Sequence, residues 1–413
     1  MMNQCYFEKL LAQYGKPIFS ADIDVEINNI CHKLEMFHID KDKYVQYKLC
    51  NSKKGCILFS EDNKLKKSKI YTKYIVNSID LNSSYKLDWL TKRIEQSYYK
   101  ECQDIKTFKR KCRIIRYIEK MLKLFDSKSF LFLTGSTITN LGDNLSDVDL
   151  CWVIPGYGIN NLNLPSNIDK GIIYNKLNET KFFILELLCS YNVINDIYVI
   201  SSKVPLLKIK FNKKWFDIEV DISINNLPGA MNSKLLHYYS RYDLRFSQLV
   251  FYFKNFCKES GYKDAYNNYF NSYSISLMVL HFLQAVVEPP ILPNLQEMRP
   301  DIFSDYKLLW FPYYQEIYLP PLKINKTPLS ELYIKFLKYF GNFQSKYYGI
   351  SIEKGCLLPR ELFIKNEKKH PLFIEEPFEK ENTARSLKKD RWIHIRKNLL
   401  CEATWLITKS QSL

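Results

Sequence analysis

The chain has 413 residues, 46% of them apolar, enough for two or three domains with a sizeable core. Sixty Lys and Arg against 44 Asp and Glu leave a net charge of +16, which favours a polyanionic partner, although abundant Lys, Asn, Ile and Tyr are also what A/T-rich coding produces. No apolar run is long enough to span a bilayer and the eleven cysteines form no Cys-x-x-Cys pair, so a membrane-spanning protein and a structural zinc are excluded as expectations.

Residues 1–88 are rich in Lys, Asn and Ser and carry no chemical motif; they read as an extension. Met1 to Leu10 has neither a signal core nor an Arg-rich presequence, so an intracellular protein with reduced thiols is expected. Periodicity predicts a helix from about Asp88 to Leu124, with Ile114, Ile115, Ile118, Met121 and Leu122 as its buried stripe. Lys106, Lys109, Arg110, Arg113, Arg116, Lys120 and Lys123 form a basic stripe, either a solvated face or a track for an RNA backbone.

From Ser129 the pattern turns to strands. Phe130 to Leu133 leads into a Gly135-Ser136 turn, followed by Gly142 and by Ser146-Asp147-Val148-Asp149-Leu150. Asp147 to Ile154 alternates, which puts Asp147 and Asp149 on one face and Val148, Leu150, Trp152 and Ile154 on the other. A helix over Lys176 to Cys189 and strands over Ile197–Ile200 and Leu206–Phe211 follow. Trp215 to Ile222 alternates again, with Asp217, Glu219 and Asp221 on a common face. After Gly229 the chain reads as helical to its end, with helices over Leu235–Lys258, Ser274–Val287, Leu329–Phe343 and Asp390–Leu406. Lys254 and Lys258, four residues apart, share one helix face.

Two carboxylates on one strand face, a turn away from backbone N–H groups, can hold divalent ions and a triphosphate together. Two-metal chemistry needs a third carboxylate from a neighbouring strand, and by alternation alone Asp217, Glu219 and Asp221 all qualify.

The Gly-Ser…Asp-x-Asp spacing resembles the signature of the DNA polymerase β nucleotidyltransferase superfamily. Glu219-Val220-Asp221-Ile222-Ser223, with Asn225-Asn226 and Asn232, resembles the third-aspartate strand of the terminal ribonucleotidyltransferases. That resemblance selects Asp221 as the third carboxylate, Asn232 as a contact to the nucleotide's ribose and Gly229 as the small residue beside it. It also implies that Gly135 and Ser136 grip phosphate, that Lys254 and Lys258 reach the β- and γ-phosphates, that Ser272 contacts phosphate and that Tyr273 stacks on the base. Glu288-Pro289-Pro290-Ile291-Leu292-Pro293-Asn294 and Ile374-Glu375-Glu376-Pro377-Phe378 through Arg385 resemble one branch, the cytoplasmic poly(A) polymerases of the germline-development type. Uridylyltransferase relatives carry a histidine directly before the Asn of this last segment. Here Glu381 precedes Asn382, which leaves room for adenine, and Glu376 can accept from an exocyclic amino group.

The resemblance implies an α+β fold: a polymerase-β-like nucleotidyltransferase domain (residues 127–229, a mixed sheet with helices) inserted into a mostly helical central domain (89–126 and 230–405). It implies a template-independent RNA 3′-end adenylyltransferase using ATP and Mg²⁺ (or Mn²⁺) held by Asp147, Asp149 and Asp221. A terminal uridylyltransferase and a catalytically inactive scaffold of an RNA-regulatory complex are the alternatives. No sequence-reading RNA module is recognisable, so a monomeric catalytic subunit targeted to RNA 3′ ends by an RNA-binding adaptor of KH or similar type is expected, without membrane attachment, in the cytoplasm or also the nucleus.

Overall fold

The computed structural model describes residues 87–411 apart from 156–168, 189–192, 216, 305–306, 312–316 and 364–369, together with 65, 68–70, 72–77, 79 and 81. Most of the 1–88 extension therefore lies outside the described residues.

The segment expected as one long helix is two. Helix α1 (Asp88–Glu101) ends at Cys102, and α2 (Ile105–Phe125) starts afresh because Asp104 caps it, its carboxylate accepting from Thr107 N–H at 2.7 Å. The two helices serve different cores. Leu90 and Ile94 of α1 join the helical core, and Tyr98 meets Phe251 edge-on at 5.2 Å. The apolar stripe of α2, from Ile114 to Leu122, packs on the sheet. Helix α2, expected with 89–126 in the helical domain, packs instead in the core of the sheet. Arg116 of the expected basic stripe is buried.

The main sheet holds β1 (Phe130–Thr134), β2 (Val148–Val153), β3 (Ile194–Ile200), β4 (Leu206–Phe211) and β5 (Glu219–Ile224), in the order β1-β2-β5-β4-β3. Only β2 and β5 run parallel; the other pairs are antiparallel. A five-residue helix α3 (Gly135–Thr139) leaves β1, and α4 (Lys170–Leu188) connects β2 to β3. Val148, Leu150 and Trp152 lie in the core shared with α2 and α4, while Cys151 and Val153 on the opposite face join the helical core. Period-2 alternation thus gives β2 two apolar faces in its second half and leaves Asp149 at the entrance.

The helical part begins with α5 (Leu227–Tyr242) and α6 (Leu244–Glu259). They replace the single expected helix because Asp243 caps α6, accepting from Arg245 N–H at 2.9 Å, and pairs with the Arg245 side chain at 2.7 Å. Helix α7 (Ser272–His281), capped by Asn271, continues as a π-turn over Phe282–Val286. Helices α8 (Leu329–Gly341) and α9 (Lys389–Gln411) complete the domain. Between them lies a small sheet that the sequence reading missed: β6 (Tyr348–Ser351), β7 (Cys356–Pro359) and β8 (Ile374–Glu375). Strands of two to four residues are too short to carry a periodic signal. No described helix is long and apolar enough to cross a membrane.

Candidate active site

One row of residues crosses the main sheet. Thr134 pairs with Asp149, Asp149 with Asp221 and Asp221 with Lys208. Asp149 and Asp221 are thus direct neighbours on parallel strands, with Asp147 just ahead of β2. Of the three residues that alternation allowed on the β5 side, only Asp221 stands in this register. Glu219 lies one step back on the same face, and Asp217 sits off the strand in an exposed turn with φ of +54°.

Gly135 explains the glycine in the motif. Its φ is +69°, and a Cβ there would fall 1.9 Å from Asp149 Oδ2 and 2.8 Å from Asp149 Cβ. The chain can turn out of β1 past the carboxylate only without a side chain. Gly135 N–H donates to Ser233 Oγ on α5 at 2.8 Å, and Ser233 in turn donates to the Gly229 carbonyl at 2.8 Å. The Gly135 amide expected to grip phosphate is therefore engaged here by Ser233, and this contact joins the two domains. Ser136 follows in α3, half-buried. Gly229 serves the start of α5: its N–H donates to the capping Asn226 at 3.3 Å, and a Cβ would meet Asn226 Nδ2 at 2.5 Å.

Asp149 and Asp221 are poorly solvated and lie among like charges, whereas the Asp147 side chain is 41% exposed. Desolvation first, then Asp221 and Asp147, push the Asp149 carboxyl from its ordinary 3.8 up to about 7. Burial also raises Asp221, against the pull of Lys208. Lys208 Nζ lies 2.8 Å from Asp221 Oδ1, 3.0 Å from Asp147 Oδ2 and 3.1 Å from Glu219 Oε2. Burial alone would lower this ammonium; its three partners hold it above the usual lysine range. Lys111, buried behind the motif, donates to Gln103 at 2.8 Å and to Thr137 at 3.4 Å, and desolvation pulls it down to about 8. Neither lysine was singled out from sequence.

Among the described residues no three acidic, histidine or cysteine side chains enclose a metal ion as they stand, and Asp147 and Asp221 are turned to Lys208. The donor set nonetheless suits Mg²⁺. It is oxygen only, it lies on paired strands, and two of its carboxylates already share a single cation.

A second cluster comes from the helical side. Tyr273 Oη donates to Asn232 Oδ1 at 2.5 Å, and Asn232 Nδ2 donates to Glu376 Oε1. The other Glu376 oxygen accepts from Phe378 N–H at 2.8 Å and from Glu379 N–H. Three acceptances on a carboxylate with about four lone-pair sites leave one for a ligand. The 374–384 loop is fixed by Asn382, whose amide spans Ile374 N–H, Ala384 N–H and the Leu372 carbonyl. Thr383 ties it to α7 by accepting from Asn271 and Ser274. Glu381 reaches across to Lys203, between β3 and β4. Asn232 adjoins Ser233, which holds Gly135, so the two clusters are contiguous.

The remaining residues are less closely tied. Ser272 opens α7, half-buried. Lys254 donates to the Leu141 carbonyl at 2.8 Å, and burial pulls its ammonium down to about 8. Lys258, one turn further, is exposed, and its ammonium makes no hydrogen bond or ion pair among the described residues.

The chain is similar to known proteins over most of its described length. The family model for the mitochondrial-like poly(A) RNA polymerase central palm domain matches residues 90–241, and that for the Cid1 family poly A polymerase matches 328–382. The GLD2-A poly(A) RNA polymerase of Xenopus laevis is 32% identical over 316 residues, 76% of this chain. The gld-2 homolog A of Drosophila melanogaster is 32% identical over 311 residues, 73% of this chain. This chain spans 59% of the frog protein's length and 22% of the fly protein's. A solved GLD-2/RNP-8 complex contains a chain 29% identical, with a TM-score of 0.63, covering 77% of this chain and 94% of that one. A Cid1 poly(U) polymerase bound to MgATP, 22% identical with a TM-score of 0.62 over 77% of this chain and 94% of that one, shares the fold. With an aspartate row on a polymerase-β-like sheet and a helical partner domain, this chain matches poly(A) RNA polymerase family models over residues 90–241 and 328–382 and is similar to the GLD2 poly(A) RNA polymerases over 73–76% of its length.

Proposed function

We propose that this protein is a template-independent RNA 3′-end adenylyltransferase. The observation that carries the reading is the pairing of Asp149 with Asp221 on adjacent strands, with Asp147 beside them. Divalent metal, when bound by these three, supplies Lewis-acid activation of an RNA 3′-hydroxyl and charge neutralisation of a triphosphate. The chain's own residues do the rest. Gly135 lets β1 pass close to Asp149. Asn232, Tyr273 and Glu376 form a pre-organised pocket wall for ribose and base, and Lys254 offers a cation near Gly142. The free acceptor site on Glu376 suits the adenine amino group, and the naming of the similar proteins as poly(A) RNA polymerases supports ATP rather than UTP as the substrate here.

RNA 3′ ends are the substrate in this reading, held weakly and without sequence preference. Targeting falls to an RNA-binding adaptor, since the related GLD-2 was solved in complex with a second protein. Cytoplasmic residence belongs to the same proposal.

The direct test gives purified protein an oligoribonucleotide, Mg²⁺ and each of the four nucleoside triphosphates separately, with products resolved on a gel. A ladder with ATP is expected. Extension with UTP alone would reverse the base assignment, and no extension with any nucleotide would remove the polymerase reading.

The raised Asp149 carboxyl adds a pH signature. Below about 7 a cation must displace its proton, whereas above that pH the site is already ionised. Half-saturating Mn²⁺, read from the EPR signal of the free ion, should rise about tenfold per pH unit below 7 and level off above it.

A further inference from the structure

Lys208 is the member of the carboxylate row that no motif accounts for. Its side chain is only 11% exposed, and its ammonium is the shared partner of Asp221, Asp147 and Glu219 at 2.8, 3.0 and 3.1 Å. Antiparallel pairing of β4 with β5 sets it directly opposite Asp221, so the contact is built into the sheet register. Glu219 has a second cation of its own, Lys210, at 3.1 Å. Glu219 thus holds Lys208 one register step away from the Lys208–Asp221 pair.

We propose that Lys208 is a positioning residue, a built-in counter-ion that gathers Asp147 and Asp221 while no divalent cation is bound and withdraws to Glu219 when one enters. This rests on the metal-site reading above. Asp221, 19% exposed, and Asp147, 41% exposed, would repel one another without a counter-charge, the more so where Asp221 is shielded from water. One ammonium among them relieves that repulsion and keeps their oxygens facing a common point. The side-chain type fits an exchanging role. A lysine presents a compact charge on a flexible stem and can swing from one carboxylate to another, whereas a guanidinium would lock to one of them as a fork. The arrangement also accounts for Glu219, an acid on the same strand face that pairs with both Lys208 and Lys210.

The test uses the full chain and two readouts besides activity: Mn²⁺ affinity by EPR of the free ion, and melting temperature in chelator and in Mg²⁺. Lys208→Met is expected to melt lower than wild type in chelator, to regain more of its stability in Mg²⁺, and to bind Mn²⁺ at least about tenfold more tightly, since the ion no longer displaces a cation. Lys210→Met removes the same charge from the same strand but only from Glu219, and should change Mn²⁺ affinity by less than about twofold. Lys208→Arg keeps the charge and should bind Mn²⁺ no more tightly than wild type. Mn²⁺ affinity in Lys208→Met equal to or weaker than wild type would overturn the proposal. So would equal tightening in Lys208→Arg, which also decides the matter should the methionine variant fail to fold. RNA extension is scored separately. A wild type that binds Mn²⁺ but extends no RNA removes the polymerase reading and leaves the counter-ion standing. A wild type that extends RNA, with no tightening in Lys208→Met, removes the counter-ion alone.

Discussion

Asp149→Ala should lower the rate of nucleotide addition at least about a thousandfold, roughly 4 kcal/mol in the barrier, while the protein stays folded. Asp149 is the centre of the row, paired with Thr134 on one side and Asp221 on the other. No neighbour can replace it, because the alternating side chains of β2, Val148 and Leu150, point into the core on the other face. The same substitution should not cost stability. The carboxyl is raised from 3.8 to about 7, so between those values the folded chain holds a proton that the unfolded chain has released. Folding stability in chelator therefore falls as pH rises through that window, and above it the desolvated charge opposes folding. Removing the group at pH 8 should leave the melting temperature in chelator unchanged or higher, which calorimetry reads directly. Loss of activity with a lowered melting temperature would mean that Asp149 is part of the scaffold rather than the site. Normal tailing would refute the assignment outright.

Gly135→Ala is the second large effect, and it separates geometry from charge. The new methyl group would fall 1.9 Å from Asp149 Oδ2 and within 2.8 Å of its Cβ. The carboxylate must turn aside, and the backbone must keep a φ of +69° that costs a non-glycine residue on the order of 1 kcal/mol. Stability should therefore drop only modestly, by a few degrees in melting temperature, while nucleotide addition falls at least about a hundredfold. Mn²⁺ affinity should weaken in parallel, because the displaced group is one of the proposed ligands. Retention of both activity and Mn²⁺ affinity would show that Asp149 does not act from the position it holds here.

The two variants probe the part of the molecule most legible in the sequence. A strand has a period of two, so Asp147 and Asp149 on one face and Val148, Leu150 and Trp152 on the other follow from the order of residues alone. Alternation on β5 left Asp217, Glu219 and Asp221 equivalent, and family resemblance chose among them. The reason for that choice became visible only in the pairing, where Asp221 faces Asp149 and Asp217 has left the strand. Helix ends are not legible in the periodicity where a single aspartate intervenes. Asp104 and Asp243 each restart a helix by capping it, yet in a periodic apolar pattern an aspartate reads as one more polar position.

The sequence by itself determined the strand faces, the amphipathic helices, the acidic pair and the glycine beside it, because each rests on neighbours a few residues apart. Only the tertiary structure decided that Lys208 stands against Asp221, that Ser233 takes the Gly135 amide across 98 positions of chain, and that Asn232, Tyr273 and Glu376 meet. Those contacts depend on strand register and domain docking, which bring distant residues together by the burial of shared apolar faces. A lysine on a strand reads as solvated until its neighbouring strand is known.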